Sequence, residues 1–110
     1  MDYGDDMKLT YNNKDIVLIS CNTFFSRLKG FMFKKNINTA LLFNKCNSIH
    51  TFFMKSNIDV IMCDKEDNII YYYNGLKKNK IILPKKKVYR TIDLPVDYFD
   101  IKLNTKIRIE

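Results

Sequence analysis

The sequence has no tryptophan, one histidine, two prolines and three glycines in 110 residues. Glycines at Gly4, Gly30 and Gly75 alone leave no phosphate-cradling loop, no dinucleotide turn and no GxSxG elbow. The three cysteines, Cys21, Cys46 and Cys63, are odd in number and none stands at CxxC spacing. That excludes a disulfide scaffold and a zinc ribbon. Unbroken apolar runs stop at about four or five residues, far short of a bilayer span. The opening residues Met1-Asp2-Tyr3-Gly4-Asp5-Asp6 are acidic rather than basic and then apolar, unlike a secretion signal. A cytoplasmic, reducing setting with no membrane partner is the expectation.

What is present suffices for a core. Apolar residues make up 46% of the chain and aromatics 14%, and one domain over residues 1–110 is expected. The formal charge is +7, and it is concentrated. Lys77, Lys78, Lys80, Lys85, Lys86, Lys87 and Arg90 fall in one acid-free stretch, so the rest of the chain is neutral overall. Such a stretch can attract nucleic acid or an acidic partner. Its lysines also fit a base composition rich in A and T, because the chain holds 16 Lys, 14 Ile and 12 Asn against 3 Arg.

The hydropathy rhythm is mostly that of strands. Met7, Leu9 and Tyr11 alternate with polar residues, and Ile16–Ile19 follows a turn at Asn13-Lys14, which predicts a hairpin. Thr23–Lys29 predicts a short helix capped by Asn22 and ended by Gly30. Ala40–Phe43, Ser48–Lys55, Ile58–Asp64, Ile69–Tyr73, Ile81–Leu83 and Val88–Leu94 predict strands, with a polar turn at Lys65–Asn68. Pro95 suits the start of a second short helix burying Val96, Phe99 and Leu103. Thr105, Ile107 and Ile109 predict a closing strand. The sum is a mainly β fold, a small antiparallel β-barrel or β-sandwich with one or two short helices. The long helical crossovers of a parallel sheet are not apparent.

Few residues offer chemistry. His50 is the only histidine, so a thiol enzyme would pair it with a cysteine such as Cys46. Cys46, His50 and Met54 recur every four residues, but on a straight strand neighbours lie about 13 Å apart, too far for one metal ion. No metal and no cofactor is expected. Asp59 and Arg90 share strand parity with apolar residues, so each needs a partner if its face is buried. Arg90 with Asp59, or Asp59 with Lys55 or His50, would satisfy them.

The stretch Cys46-Asn47-Ser48-Ile49-His50-Thr51-Phe52-Phe53-Met54-Lys55, followed by Ile58-Asp59-Val60-Ile61-Met62-Cys63-Asp64, resembles the central signature of domain-of-unknown-function family 192. Phe25-Ser26-Arg27-Leu28-Lys29-Gly30-Phe31-Met32, Ala40–Phe43 and Ile92-Asp93-Leu94-Pro95 are similar to its flanking segments, so the likeness covers about residues 20–110. Asn57 stands where this branch of the family has proline, and Asn104-Thr105 where it has glycine and aspartate. The resemblance implies a compact, mainly antiparallel β fold and brings no established activity. It marks Arg27, Gly30, Cys46, His50, Met54 and Asp59 as positions of interest.

The functional expectation is a non-catalytic binding or accessory module for a small polar or anionic ligand. Its candidate residues are Arg27, Cys46, His50, Met54 and Asp59, near the strand Ser48–Lys55. The alternatives are nucleic-acid or acidic-partner binding through residues 77–90, and a thiol enzyme using Cys46 and His50.

Overall fold

The computed structural model describes residues 7–21, 39–51 and 56–110. The expected helix at Thr23–Lys29, together with Arg27, Gly30 and Met54, lies outside the described residues. Among the described residues nine strands follow in order: β1 (Met7–Tyr11), β2 (Lys14–Ser20), β3 (Ala40–Asn44), β4 (Ile49–His50), β5 (Ile58–Cys63), β6 (Ile69–Leu76), β7 (Ile81–Ile82), β8 (Arg90–Leu94) and β9 (Arg108–Ile109). Seven of them form one curled, half-barrel sheet in the order β6-β5-β8-β3-β2-β1-β9, and β4 pairs with β7 in a separate ribbon. The fold is mainly β, with no helix among the described residues.

The hairpin β1–β2 closes through a two-residue loop, since Tyr11 pairs with Lys14. Asn12 and Asn13 occupy it at φ 49° and 64°. Asparagine tolerates this left-handed conformation, and a loop of this hand matches the twist of the strands. β2 and β3 run parallel, against the antiparallel expectation. A parallel neighbour needs a connection of about a dozen residues or more, and residues 21–39 supply it.

Alternation sorts the side chains onto two faces. Leu9, Leu18, Ala40, Leu42, Ile61, Ile92 and Leu94 fill the concave face, where Phe99 and Ile107 join them. Leu41, Phe43, Val60 and Met62 point the other way and pack under Ile49 and Ile82 of the ribbon. The central strands are therefore buried on both sides, which explains why every residue of β5 is buried. The curl is drawn together at one end. Ile69 N–H donates to Thr105 O at 2.8 Å, Asn104 N–H to Ile69 O at 2.8 Å, and Ile107 N–H to Asp67 O at 3.1 Å.

The segment after Pro95 is a turn, not the expected helix. Tyr98 N–H donates to Pro95 O, Asp97 adopts φ 60°, and only Phe99 of the anticipated apolar trio is buried. The competitor is Asp59 on β5. Its Oδ2 accepts from Asp97 N–H at 3.0 Å and from Tyr72 Oη–H at 3.0 Å. Its Oδ1 accepts from Gly75 N–H at 2.7 Å and Asn74 Nδ2 at 2.9 Å. A bulge between Ile58 and Val60 sets Asn74 and Gly75 opposite Asp59, with Gly75 at φ 62°. Four donors satisfy a carboxylate that would otherwise be costly to bury. Burial and the adjoining Asp59 carboxylate push the Tyr72 phenol up to about 12.

This geometry predicts that Asp59→Asn costs on the order of 3 kcal/mol in urea unfolding, because an amide turns a donor toward donors. Tyr72→Phe should cost about 1 kcal/mol. Equal stability of parent and Asp59→Asn would refute the role of the carboxylate as a structural tie.

Candidate functional site

The structure separates the residues that the sequence suggested would meet. Asp59 lies on the concave face, since its register partner is Leu94. His50 lies on β4, paired with Ile81 in the ribbon that covers the opposite face, and it is exposed. A sheet therefore stands between them. Arg90 does not pair with Asp59. Its Nη1 donates to Asp67 Oδ1 at 2.7 Å and its Nε to Asn44 Oδ1 at 3.1 Å. Asp59 and Arg90 both found partners, but different ones, because strand parity shows which face a residue takes and not which residue waits there. Cys46 is half-buried, and its Sγ–H donates to Ser48 O at 3.1 Å. Burial, with Asp67 and Asp64 nearby, pushes the Cys63 thiol up to about 12. Among the described residues no three His, Cys, Asp or Glu side chains group as a metal site would need.

The basic stretch is built on a fixed frame. Thr51, 1% exposed, organises the turn between β6 and β7. Its Oγ1 donates to Lys77 O at 2.7 Å and accepts from Lys80 N–H at 2.8 Å. Its backbone N–H donates to Lys80 O at 2.9 Å, and its carbonyl accepts from Asn79 N–H at 3.2 Å. Asn79 takes φ 61° to complete the turn. Further on, Lys85 N–H donates to Asn47 O at 3.1 Å, and Lys87 at φ 69° turns the chain back toward β8. Lys77, Lys78, Lys80, Lys86 and Lys87 are exposed, and Lys85 is half-buried with its ammonium 5.6 Å from the Tyr71 ring centroid. None of these six lysines enters an ion pair with a described acid. Arg90 differs from them, because Asp67 neutralises it.

One buried group escaped the sequence reading. Asp93 on β8 is 4% exposed and its Oδ1 has no hydrogen-bond partner among the described residues. Leu41 and Val60 flank it in register, on the face that the ribbon covers. Burial among apolar neighbours holds its carboxyl well above the usual range. The signal was the apolar run Val60–Cys63 beside Ala40–Phe43: strands this apolar have both faces covered, so a charge between them cannot reach water.

Asp93 makes stability depend on pH in a defined direction. The unfolded carboxyl ionises near 3.8 and the folded one only at higher pH, so the folded state binds more protons above that point. The contribution of Asp93 to stability is greatest below the unfolded value and is lost as pH rises toward the folded one. Asp93→Asn should be more stable than the parent at neutral pH by on the order of 2 kcal/mol, with the gap closing below the unfolded value. A gap independent of pH in denaturation curves would contradict this.

Comparison with known proteins agrees with the fold. A UPF0127 protein of Thermococcus kodakarensis is 40% identical over 81 residues, which cover 68% of this chain and 51% of that protein. Another, of Thermococcus gammatolerans, is 37% identical over 81 residues, covering 68% of this chain and 52% of the relative. The chain thus spans about half the length of the curated relatives it matches. A crystal structure of a protein of unknown function from Novosphingobium aromaticivorans superposes with a TM-score of 0.75 at 11% identity, over 94% of this chain and 83% of that one. At that identity the likeness is one of fold. The family match runs over residues 7–109, nearly the whole chain, and with it the chain belongs to DUF192, the family described as Uncharacterized ACR.

Proposed function

We propose that this chain is a binding or accessory module and that its contact surface is the lysine-bearing stretch 77–87, where an anionic ligand or partner docks. The observation that carries the reading is the set of six lysines without an acidic partner among the described residues, held on turns that Thr51 and Asn47 fix. Like charges crowded on a short ribbon repel one another, and an incoming anion relieves that repulsion. Their field reaches about 10 Å into solution at about 0.1 M salt. Three free thiols suit a cytoplasmic, reducing setting.

A second reading keeps a small polar ligand near the segment 46–51, the region of Cys46 and His50, with Arg27 and Met54 as sequence candidates. The Oδ1 of Asp93, without a hydrogen-bond partner among the described residues, favours it, because a donor group seated there would meet an acceptor. Asp59 contributes nothing to that reading, since its oxygens already accept four bonds. For the thiol alternative, the Cys46 Sγ–H is engaged locally, donating to Ser48 O.

Heparin is a suitable probe for the first reading. Replacing Lys85, Lys86 and Lys87 together by Glu should weaken heparin binding at least tenfold, about 1.4 kcal/mol, with the melting temperature retained. Replacing Lys102 and Lys106, which lie outside the stretch, should leave binding unchanged. Equal affinity of the parent and the triple variant rules the surface out. For the second reading, a polar compound that raises the melting temperature of the parent but not of Asp93→Asn would be expected in a thermal-shift screen.

A further inference from the structure

We infer that the ridge around β7 docks on an anionic lipid bilayer, a reading that rests on the anionic contact surface proposed above and names its occupant. β7 alternates sharply. Ile82 is 6% exposed and packs into the core, whereas Ile81 and Leu83 are 58% and 68% exposed on the other side. They are the two most exposed large apolar side chains among the described residues. Lys77, Lys78 and Lys80 precede them and Lys85, Lys86 and Lys87 follow, so cations bracket an aliphatic pair on both sides.

Three features separate a lipid surface from nucleic acid. The cations are lysines, compact point charges on flexible stems, which suit a loose array of headgroups better than the paired acceptors of a base edge. Arg90, at the end of the stretch, is held by Asp67 and Asn44. Two tyrosines that flank the stretch already carry cations: Lys85 lies 5.6 Å from the Tyr71 centroid, and Arg90 and Lys65 lie 5.1 and 5.9 Å from that of Tyr89. A polyanion in water, moreover, has no use for Ile81 and Leu83. A bilayer uses both parts, the lysines against anionic headgroups and the aliphatic pair among the upper acyl chains, and stable surface binding generally needs two such signals. This departs from the expectation of no membrane partner, which was drawn from the lack of a spanning segment. Docking from outside needs none, and the cytoplasmic leaflet is the anionic one.

The test is co-sedimentation with vesicles, alongside the heparin assay. The parent should pellet with vesicles of phosphatidylserine and phosphatidylcholine in equal parts at about 0.1 M salt, and should be released at about 1 M. It should not pellet with phosphatidylcholine alone. The Ile81→Ser, Leu83→Ser double variant should keep its heparin affinity and lose vesicle binding at least tenfold. Because the chain has no tryptophan, Leu83→Trp supplies a unique reporter whose emission should shift to the blue on the anionic vesicles. Heparin binding without vesicle binding, or vesicle binding indifferent to the double variant, overturns the lipid assignment and leaves the anionic surface standing. Loss of both activities overturns both. Tight capture of a single-stranded oligonucleotide that displaces the vesicles points to nucleic acid, and a dimer that dissociates in the double variant points to a second copy of the chain. Either result overturns the inference.

Discussion

The carboxylate of Asp59 sets much of the geometry around it. It sits on a strand buried on both faces, where an unpaired charge would be ruinous, and each of its oxygens accepts two hydrogen bonds. The donors come from β6 and from the turn after β8, segments that share no continuous strand pairing of their own. One side chain thereby fixes the bulge in β6, the left-handed Gly75 and the left-handed Asp97. The turn at Asp97 then directs the chain to bring Phe99 against Tyr11, their ring centroids 5.7 Å apart and edge to face.

On the other side of the sheet the constraint is coverage. Leu41, Phe43, Val60 and Met62 present an apolar face that the β4–β7 ribbon shields through Ile49 and Ile82. Tying down that ribbon is the task of Thr51, which satisfies its own polar groups by wrapping the turn that bears Lys77, Lys78 and Lys80. The basic surface is thus a by-product of closing the core. Its inner residues are fixed by burial, and its outer ones are left to whatever contact the molecule makes.

Much of the architecture was legible in the alternation of residues. The hairpin of Met7–Tyr11 with Lys14–Ser20, the buried runs at Ala40–Asn44 and Ile58–Cys63, and the late strand Arg90–Leu94 all carry a two-residue or continuous apolar pattern. The failures have physical causes. The parallel pairing of β2 with β3 depends on a long connection whose route no local pattern encodes. Pro95 does favour a helix start, yet a hydrogen bond from Asp97 to a residue 38 positions away prevailed over local propensity. Asp93 was passed over because alternation assigns it a face but does not reveal that the face is covered.

The strand order β6-β5-β8-β3-β2-β1-β9 joins mostly distant parts of the chain. β1–β2 and β5–β6 pair as antiparallel hairpins, whereas β8 joins β3 to β5 from a distant part of the chain. Until it does, two strands apolar on both faces stand with open backbone edges in water. Non-local pairing of this kind makes for slow assembly and leaves such strands vulnerable to clumping while they wait.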